Sequence, residues 1–314
     1  MYPATAVIDI GSNSARLVIY EQINQQVFQL ICEQKVKVRI GEGAYLKNGY
    51  LQKIPLQRAY KALEHFQSTI NQFSSCSKVI CVATSALRDA PNGNDFVRLI
   101  KEKLHLNIRV IDGQKEAYYG ALAALHLLPI NNGITIDIGG GSSDLALIKD
   151  SKIIETYSLN LGTVRLKELF SDSNKSSEEI DEYIYKELLT LPKSFNAYPA
   201  IGIGGTARSL SKAIKTLQGD TSKEIHNFSY NIEMYQDFFY KIIIADNTLL
   251  KELNIHKNRF DTIREGTLIL KKILEKIESK KLISSSVGVR EGVFLDNSNL
   301  IEAKTSIKFR KLKD

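Results

Sequence analysis

The hydrophobic pattern of the chain repeats itself. Residues 6–18 read AVIDIGSNSARLV and residues 134–146 read ITIDIGGGSSDLA. In each, an apolar run enters a tight Gly/Ser turn and leaves along a second alternating run (ARLVIY; DLALI), the pattern of a β-hairpin. At a constant offset of 128 residues, Ile8/Ile136, Asp9/Asp137, Ile10/Ile138, Gly11/Gly139, Ser14/Ser142 and Leu17/Leu145 coincide. Self-similarity at that spacing predicts two duplicated domains, residues 1–127 and 128–314.

Between the copies the period switches between two and 3.6. Strands are expected within 27–40, at 78–83 (KVICVA) and at 107–111 (NIRVI). Helices are expected at 57–73, where Ala59, Leu63, Phe66, Ile70 and Phe73 share a face, at 94–104, and over the Ala/Leu-rich 115–127. The second half repeats this order. It has a polar loop at 171–179 leading into a helix to about 190, a strand at 200–204 ending in glycines, and a long amphipathic helix at 261–279. A last helix at about 298–314 is expected to pack back on the first domain. Strands alternating with helices define a mixed α/β fold with covered sheets.

Composition narrows the class. The 314 residues are 43% hydrophobic and 25% charged, enough for packed cores and against global disorder. A net charge of +7, spread along the chain, favours an anionic ligand without the basic stripe of a DNA binder. No stretch approaches the roughly 20 apolar residues of a membrane span, and the start MYPATAVIDIG does not read as a leader. Three cysteines (Cys32, Cys76, Cys81) without CxxC spacing suit a reducing, cytoplasmic compartment.

The chemistry gathers at three loops that each follow an expected strand: Gly11-Ser12-Asn13-Ser14, Gly139-Gly140-Gly141-Ser142-Ser143 and Gly204-Gly205-Thr206. Glycine lets successive backbone N–H groups close around phosphate oxygens, and the hydroxyls add donors. A P-loop, a GxSxG elbow and an HExxH helix are all absent. The five histidines (His65, His105, His126, His226, His256) fall in unrelated contexts, so carboxylates are left to carry the reaction. Asp9 and Asp137 end the first strand of each hairpin, beside the phosphate loops. An acid there calls for a bridging cation, and Mg²⁺ suits carboxylate, water and phosphate oxygens; Asp144 would lie close by. Glu116 opens the helix after Asp112-Gly113, where it serves either as a partner of the helix dipole or as a general base. Arg88, Arg165 and Arg290 are candidate phosphate cations.

Eight segments, in order and nearly end to end, carry a resemblance: DIGSNSARLVIY (9–20), VATSALRDA (82–90), VIDGQKEA (110–117), DIGGGSSDLALI (137–148), SLNLGTVRLKELF (158–170), GIGGTARSL (202–210), RFDTIREG (259–266) and GVREGVF (288–294). The chain resembles the exopolyphosphatase/guanosine pentaphosphate phosphohydrolase family of the actin/Hsp70/sugar-kinase superfamily. That implies two actin-like (ribonuclease H-like) domains around an interdomain cleft. It also implies Mg²⁺-assisted release of terminal phosphate from polyphosphate or guanosine pentaphosphate, with the stringent response as one setting and a homodimer as the expected assembly. By the same resemblance Glu116 matches the family's catalytic glutamate and Arg88 a phosphate-contacting arginine. Asp144 stands where the family usually has glutamate, one methylene shorter. Many relatives continue into a helical region that this chain does not reach, as a short member or a piece of a longer protein would. Two rivals follow: a non-hydrolytic sensor of guanosine tetra- or pentaphosphate or polyphosphate, and an ATP-dependent small-molecule kinase.

Overall fold

The computed structural model describes residues 3–24, 27–220, 222, 224–298 and 308–311, the final stretch as backbone alone. The first hairpin is β1 (Ala4–Ile10) and β2 (Ala15–Gln22), with β3 (Val27–Val36) antiparallel to β2. The chain then alternates through α1 (Lys53–Ile70), β4 (Cys76–Ala83), α2 (Ser85–Asp89), α3 (Gly93–Leu104), β5 (Ile108–Val110) and α4 (Gly113–Leu127). A second hairpin of β6 (Gly133–Ile138) and β7 (Ser143–Lys149) leads to β8 (Lys152–Leu159). After it come α5 (Thr163–Leu166), which widens into a π turn at Lys167–Ser171, then α6 (Ser177–Leu189), β9 (Ala200–Ile203) and α7 (Gly204–Leu217). The chain continues through β10 (Ser229–Asn231), α8 (Gln236–Ile244), α9 (Asn247–Glu252), α10 (Ile263–Lys276), β11 (Lys281–Ser284), α11 (Val289–Asp296) and β12 (Lys308–Lys311).

The duplication is present in the topology. The first sheet runs β12-β3-β2-β1-β4-β5 and the second β10-β11-β9-β6-β7-β8. In both, the first hairpin strand is central, with two antiparallel strands on one side and two parallel strands on the other. Each sheet adds one short edge strand. The helix expected at 298–314 is corrected at its described part, since Lys308–Lys311 pairs as a parallel strand with Val27–Leu30 of β3. The outer edge of β3 offers a row of backbone donors and acceptors, which a strand can satisfy and a helix cannot. Residues 299–307 and 312–314 of the segment expected as a helix lie outside the described residues.

α4 explains its own composition. Tyr119 and Leu122 pack with Val7, Val18 and Val82 of the first sheet, while Ala117, Ala121 and Ala124 pack with Ala146, Ile148 and Ile201 of the second. A helix enclosed on two sides needs small residues on at least one, hence the alanines. It runs between the two halves and carries Glu116 in its first turn. Among the described residues no helix is long and apolar enough to cross a membrane.

Candidate active site

The two hairpin turns meet. In each, the first glycine donates to the serine three residues on, Gly11 N to Ser14 O at 3.1 Å and Gly139 N to Ser142 O at 2.9 Å. A β-carbon on Gly140 would stand 2.6 Å from Ser12 Cβ, so the second turn approaches the first only because it lacks one. The third loop opens α7. Gly204 adopts φ +79° and lies where a β-carbon would be 2.2 Å from Asp137 Oδ1. No side chain caps α7, and its first residues, Gly204 and Gly205, line the cleft.

These elements enclose a cavity of about 390 Å³. Gly11, Ser12, Asn13 and Ser14 line it from the first sheet, and Gly139, Gly140, Gly204 and Gly205 from the second, together with Asp9, Asp137 and Glu116. Gly141, Ser142, Ser143 and Thr206 stand outside this lining, behind the wall. Ser143 donates to Leu161 O at 2.5 Å, Thr206 accepts from Arg259 at 3.4 Å, and a β-carbon on Gly141 would meet Tyr45 Oη and Ser85 Oγ.

Asp144 is also set back. It is 2% exposed, its Oδ2 accepts from Ser142 Oγ at 3.0 Å and its Oδ1 from Ser158 Oγ at 2.5 Å. Glu116 is different: its Oε2 is buried without a hydrogen-bond partner and lies 3.7 Å from Arg88 Nη1. Burial, then Asp144, Asp137 and Asp9, hold its carboxyl well above the ordinary range, with Arg88 pulling the other way. Burial also raises Asp9 and Asp137, against Arg290 and Arg208 respectively, and carries Asp144 up to about 7. At all four acids burial thus outweighs the neighbouring arginines.

That donor set suits a hard divalent cation. Among the described residues no three His, Cys, Asp or Glu side chains form a preformed cage. Mg²⁺ does not require one, since it takes one or two carboxylates and completes its shell with water and phosphate. Asp9 and Asp137 face the cavity, whereas both oxygens of Asp144 are engaged by serines.

The duplicated hairpins differ at one decisive position. Asp9 pairs across the strands with Arg16, which pairs with Lys35, while Asp137 pairs with Asp144, which pairs with Ser158. The first sheet thus presents an acid and two bases in a row, the second two acids and a hydroxyl. Arg16 and Lys35 line the cleft cavity and also a chamber of about 700 Å³ that opens from it, where Gly205, Arg208 and Arg259 are shared as well. Burial and the surrounding arginines pull Arg16 down to about 10 and Lys35 to about 8. This cationic row was not singled out from sequence; the offset pairing of position 16 with 144 was the available signal. Arg165, a candidate phosphate cation, is otherwise engaged. It donates to Gly141 O at 2.8 Å and Asp89 Oδ2 at 2.9 Å and stacks on Tyr45. His226 bridges Leu127 O and Ser286 N in the chamber wall.

A carboxyl that holds its proton more tightly in the folded than in the unfolded chain lowers stability as pH rises between the two pKa values. For Asp144 that window runs from about 4 to about 7. Asp144→Asn in metal-free protein is therefore expected to melt several degrees above wild type at pH 8, with the difference vanishing near pH 4.5. An equal shift at both pH values, followed by calorimetry, would assign the effect to packing.

Residues 18–300 match the profile of the Ppx/GppA phosphatase family. The chain is 30% identical over 308 residues to a bifunctional 3-dehydroquinate synthase/phosphatase of Fusobacterium nucleatum, covering 93% of this chain and 46% of that protein. It is 28% identical to a guanosine-5'-triphosphate,3'-diphosphate pyrophosphatase of Pseudoalteromonas atlantica, covering 92% and 57%. The chain thus spans about half the length of these curated relatives. The crystal structure of the Aquifex aeolicus member of the Ppx/GppA family is 29% identical, with a TM-score of 0.78 over 96% of this chain and 99% of that one. Profile, relatives and fold agree, and the chain belongs to the Ppx/GppA phosphatase family.

Proposed function

We propose that the protein hydrolyses terminal phosphoanhydride bonds of inorganic polyphosphate, removing one phosphate at a time. The polarised cleft carries this reading. Acids and glycine loops stand at one end, where a terminal phosphate would be cut, and Arg16, Lys35, Arg208 and Arg259 continue from them into the chamber, where the rest of an anionic chain would lie.

Glu116 takes the proton of the attacking water; its orphaned, desolvated Oε2 is a stronger base than a solvated carboxylate. Water adds to the terminal phosphorus, the P–O bond to the next phosphate breaks, and a chain one phosphate shorter leaves. Arg88, which donates to Asp89 Oδ1 at 3.1 Å and Ile111 O at 3.2 Å, steadies the glutamate from beside the cavity, while the loop N–H groups hold the oxygens of the terminal phosphate. Asp9 and Asp137 are the residues that would hold Mg²⁺, which would supply positive charge to the phosphate oxygens.

A second reading, guanosine pentaphosphate, is favoured by the far wall of the chamber. There Leu127, Ile225 and Val287 offer an apolar face beside Glu224, and a carboxylate can accept from both the N1–H and the N2–H of guanine. Phosphate release from long-chain polyphosphate and from guanosine pentaphosphate, with ATP as control and EDTA as the metal-free arm, separates the readings. Release from polyphosphate alone supports the first, and faster release from the nucleotide the second. Tight binding without release under any divalent metal would replace both with a sensor.

Lys35→Ala is expected to raise KM for long chains about tenfold while leaving kcat within about threefold, because it binds phosphate remote from the reacting centre. Since Lys35 titrates at about 8, wild-type KM should climb above that pH and the variant's should not.

A further inference from the structure

Arg290, the second residue of α11, is not needed to hold the fold together by hydrogen bonds. It is 9% exposed, its Nε is buried without a partner, and among the described residues no hydrogen bond to its guanidinium occurs. Its one ion pair is a long one, Nη1 to Asp9 Oδ2 at 3.9 Å. Glu291 and Asp9 balance its charge, and its hydrogen-bonding fork, lining the cleft cavity, is free to take a phosphate oxygen.

The side chain is nonetheless precisely held through its neighbour. Glu291 is 4% exposed and accepts from Tyr20 Oη of β2 at 2.5 Å and from Gly288 N at 2.8 Å, the second bond closing the first turn of α11. Tyr20 is fully buried, with ring centroids of Phe28 and Phe294 at 5.3 and 4.8 Å. The hydrogen bond therefore keys the start of α11 to the strand that carries Arg16 at its other end, and so sets where Arg290 enters the cleft.

Resting on the polyphosphatase reading, we propose that Arg290 is a further catalytic residue, receiving the charge that develops on the leaving phosphate, with Tyr20 and Glu291 as its positioning pair. Its place decides which phosphate it takes. Arg88 stands at Glu116, where water attacks; Arg290 stands at Asp9, next to the Arg16 row that receives the rest of the chain. When the P–O bond breaks, the electron pair stays on the oxygen of the departing chain, and Arg290 is the guanidinium at the boundary it crosses.

The test is a double-mutant cycle of Tyr20→Phe and Arg290→Ala, read as phosphate release from polyphosphate with Mg²⁺ and as tripolyphosphate affinity by calorimetry in the Glu116→Gln background. Arg290→Ala is expected to lower kcat about 10²-fold, with Arg290→Lys recovering part of it. Tyr20→Phe keeps the ring and is expected to lower kcat about tenfold. In the Arg290→Ala background that loss should vanish, because the tyrosine acts only through the arginine. Tripolyphosphate affinity should fall at least fivefold in Arg290→Ala. Additive losses in the cycle, or Arg290→Ala within threefold of wild type on both readouts, would overturn the inference. A wild-type enzyme that releases no phosphate would instead overturn the reading beneath it, and the calorimetric arm would still report whether Arg290 binds the chain.

Discussion

Glutamine at position 116 is expected to lower phosphate release from polyphosphate at least about 100-fold, the scale of a lost general base. The amide matches the carboxylate in shape but cannot take the proton of water. KM should change little, because the loops and cations proposed to bind the polyphosphate are untouched. The pH profile adds a second signature. A general base at Glu116 would have to be ionised, and burial with three neighbouring acids raises its pKa, so on the proposed mechanism the wild-type rate should climb as pH rises from acid toward neutrality. The residual rate of Glu116→Gln should lack that limb. Metal-free Glu116→Gln should also be the more stable protein above neutral pH, since it removes one of four crowded, desolvated acids. A variant retaining more than a tenth of wild-type kcat would remove Glu116 from the role of base.

Alanine at Gly292 is expected to be among the most destabilising single-methyl changes in the molecule. A β-carbon there would stand 1.9 Å from Tyr119 O and 2.6 Å from its carbonyl carbon. The obstacle is the backbone of α4, which cannot rotate away as a side chain could. α11 and α4 must separate, which opens the packing of Val293 and Phe294 against the first sheet. Overpacking typically costs 1–3 kcal/mol, and backbone contact places this one at about 3 kcal/mol or more, visible as a fall in Tm of several degrees. Activity should fall as well, because the two helices carry Arg290 and Glu116. Glycine to serine at Gly219, where nothing lies within 4 Å, shares the loss of glycine without the collision, although its φ of +76° carries its own strain; it should cost clearly less. Equal losses at both sites would show that backbone freedom, not helix contact, matters at Gly292.

Much of the site was legible because its determinants are local. The hairpins with their Gly/Ser turns, the strand-loop-helix at Gly204 and the first-turn position of Glu116 each depend on a few adjacent residues. Their identities fix turn and period wherever the segment ends up. Element ends moved by a few residues, as at the first long helix, expected at 57–73 and found at Lys53–Ile70. The segment at 308–311 went the other way: its lysines and arginine carry no period, and its strand form comes from the open edge of β3. Arg165, a candidate phosphate cation by sequence, instead meets Gly141, Asp89 and Tyr45, partners that no spacing brings together.

The amino-acid sequence by itself determined the duplication, the mixed α/β architecture, the three glycine loops and the acids placed beside them, because hairpin turns and helix starts are set by near neighbours. Only the tertiary structure decided which of those groups face one another. It set Asp144 back behind two serines and left Glu116 Oε2 without a partner. It joined Arg16 and Lys35 to Arg208 and Arg259 in one cationic row, and it brought Tyr20 to Glu291, 271 residues away. Burial and long-range approach raise or lower a charge's energy far more than its sequence neighbours do, and both exist only once the sheets have closed on α4.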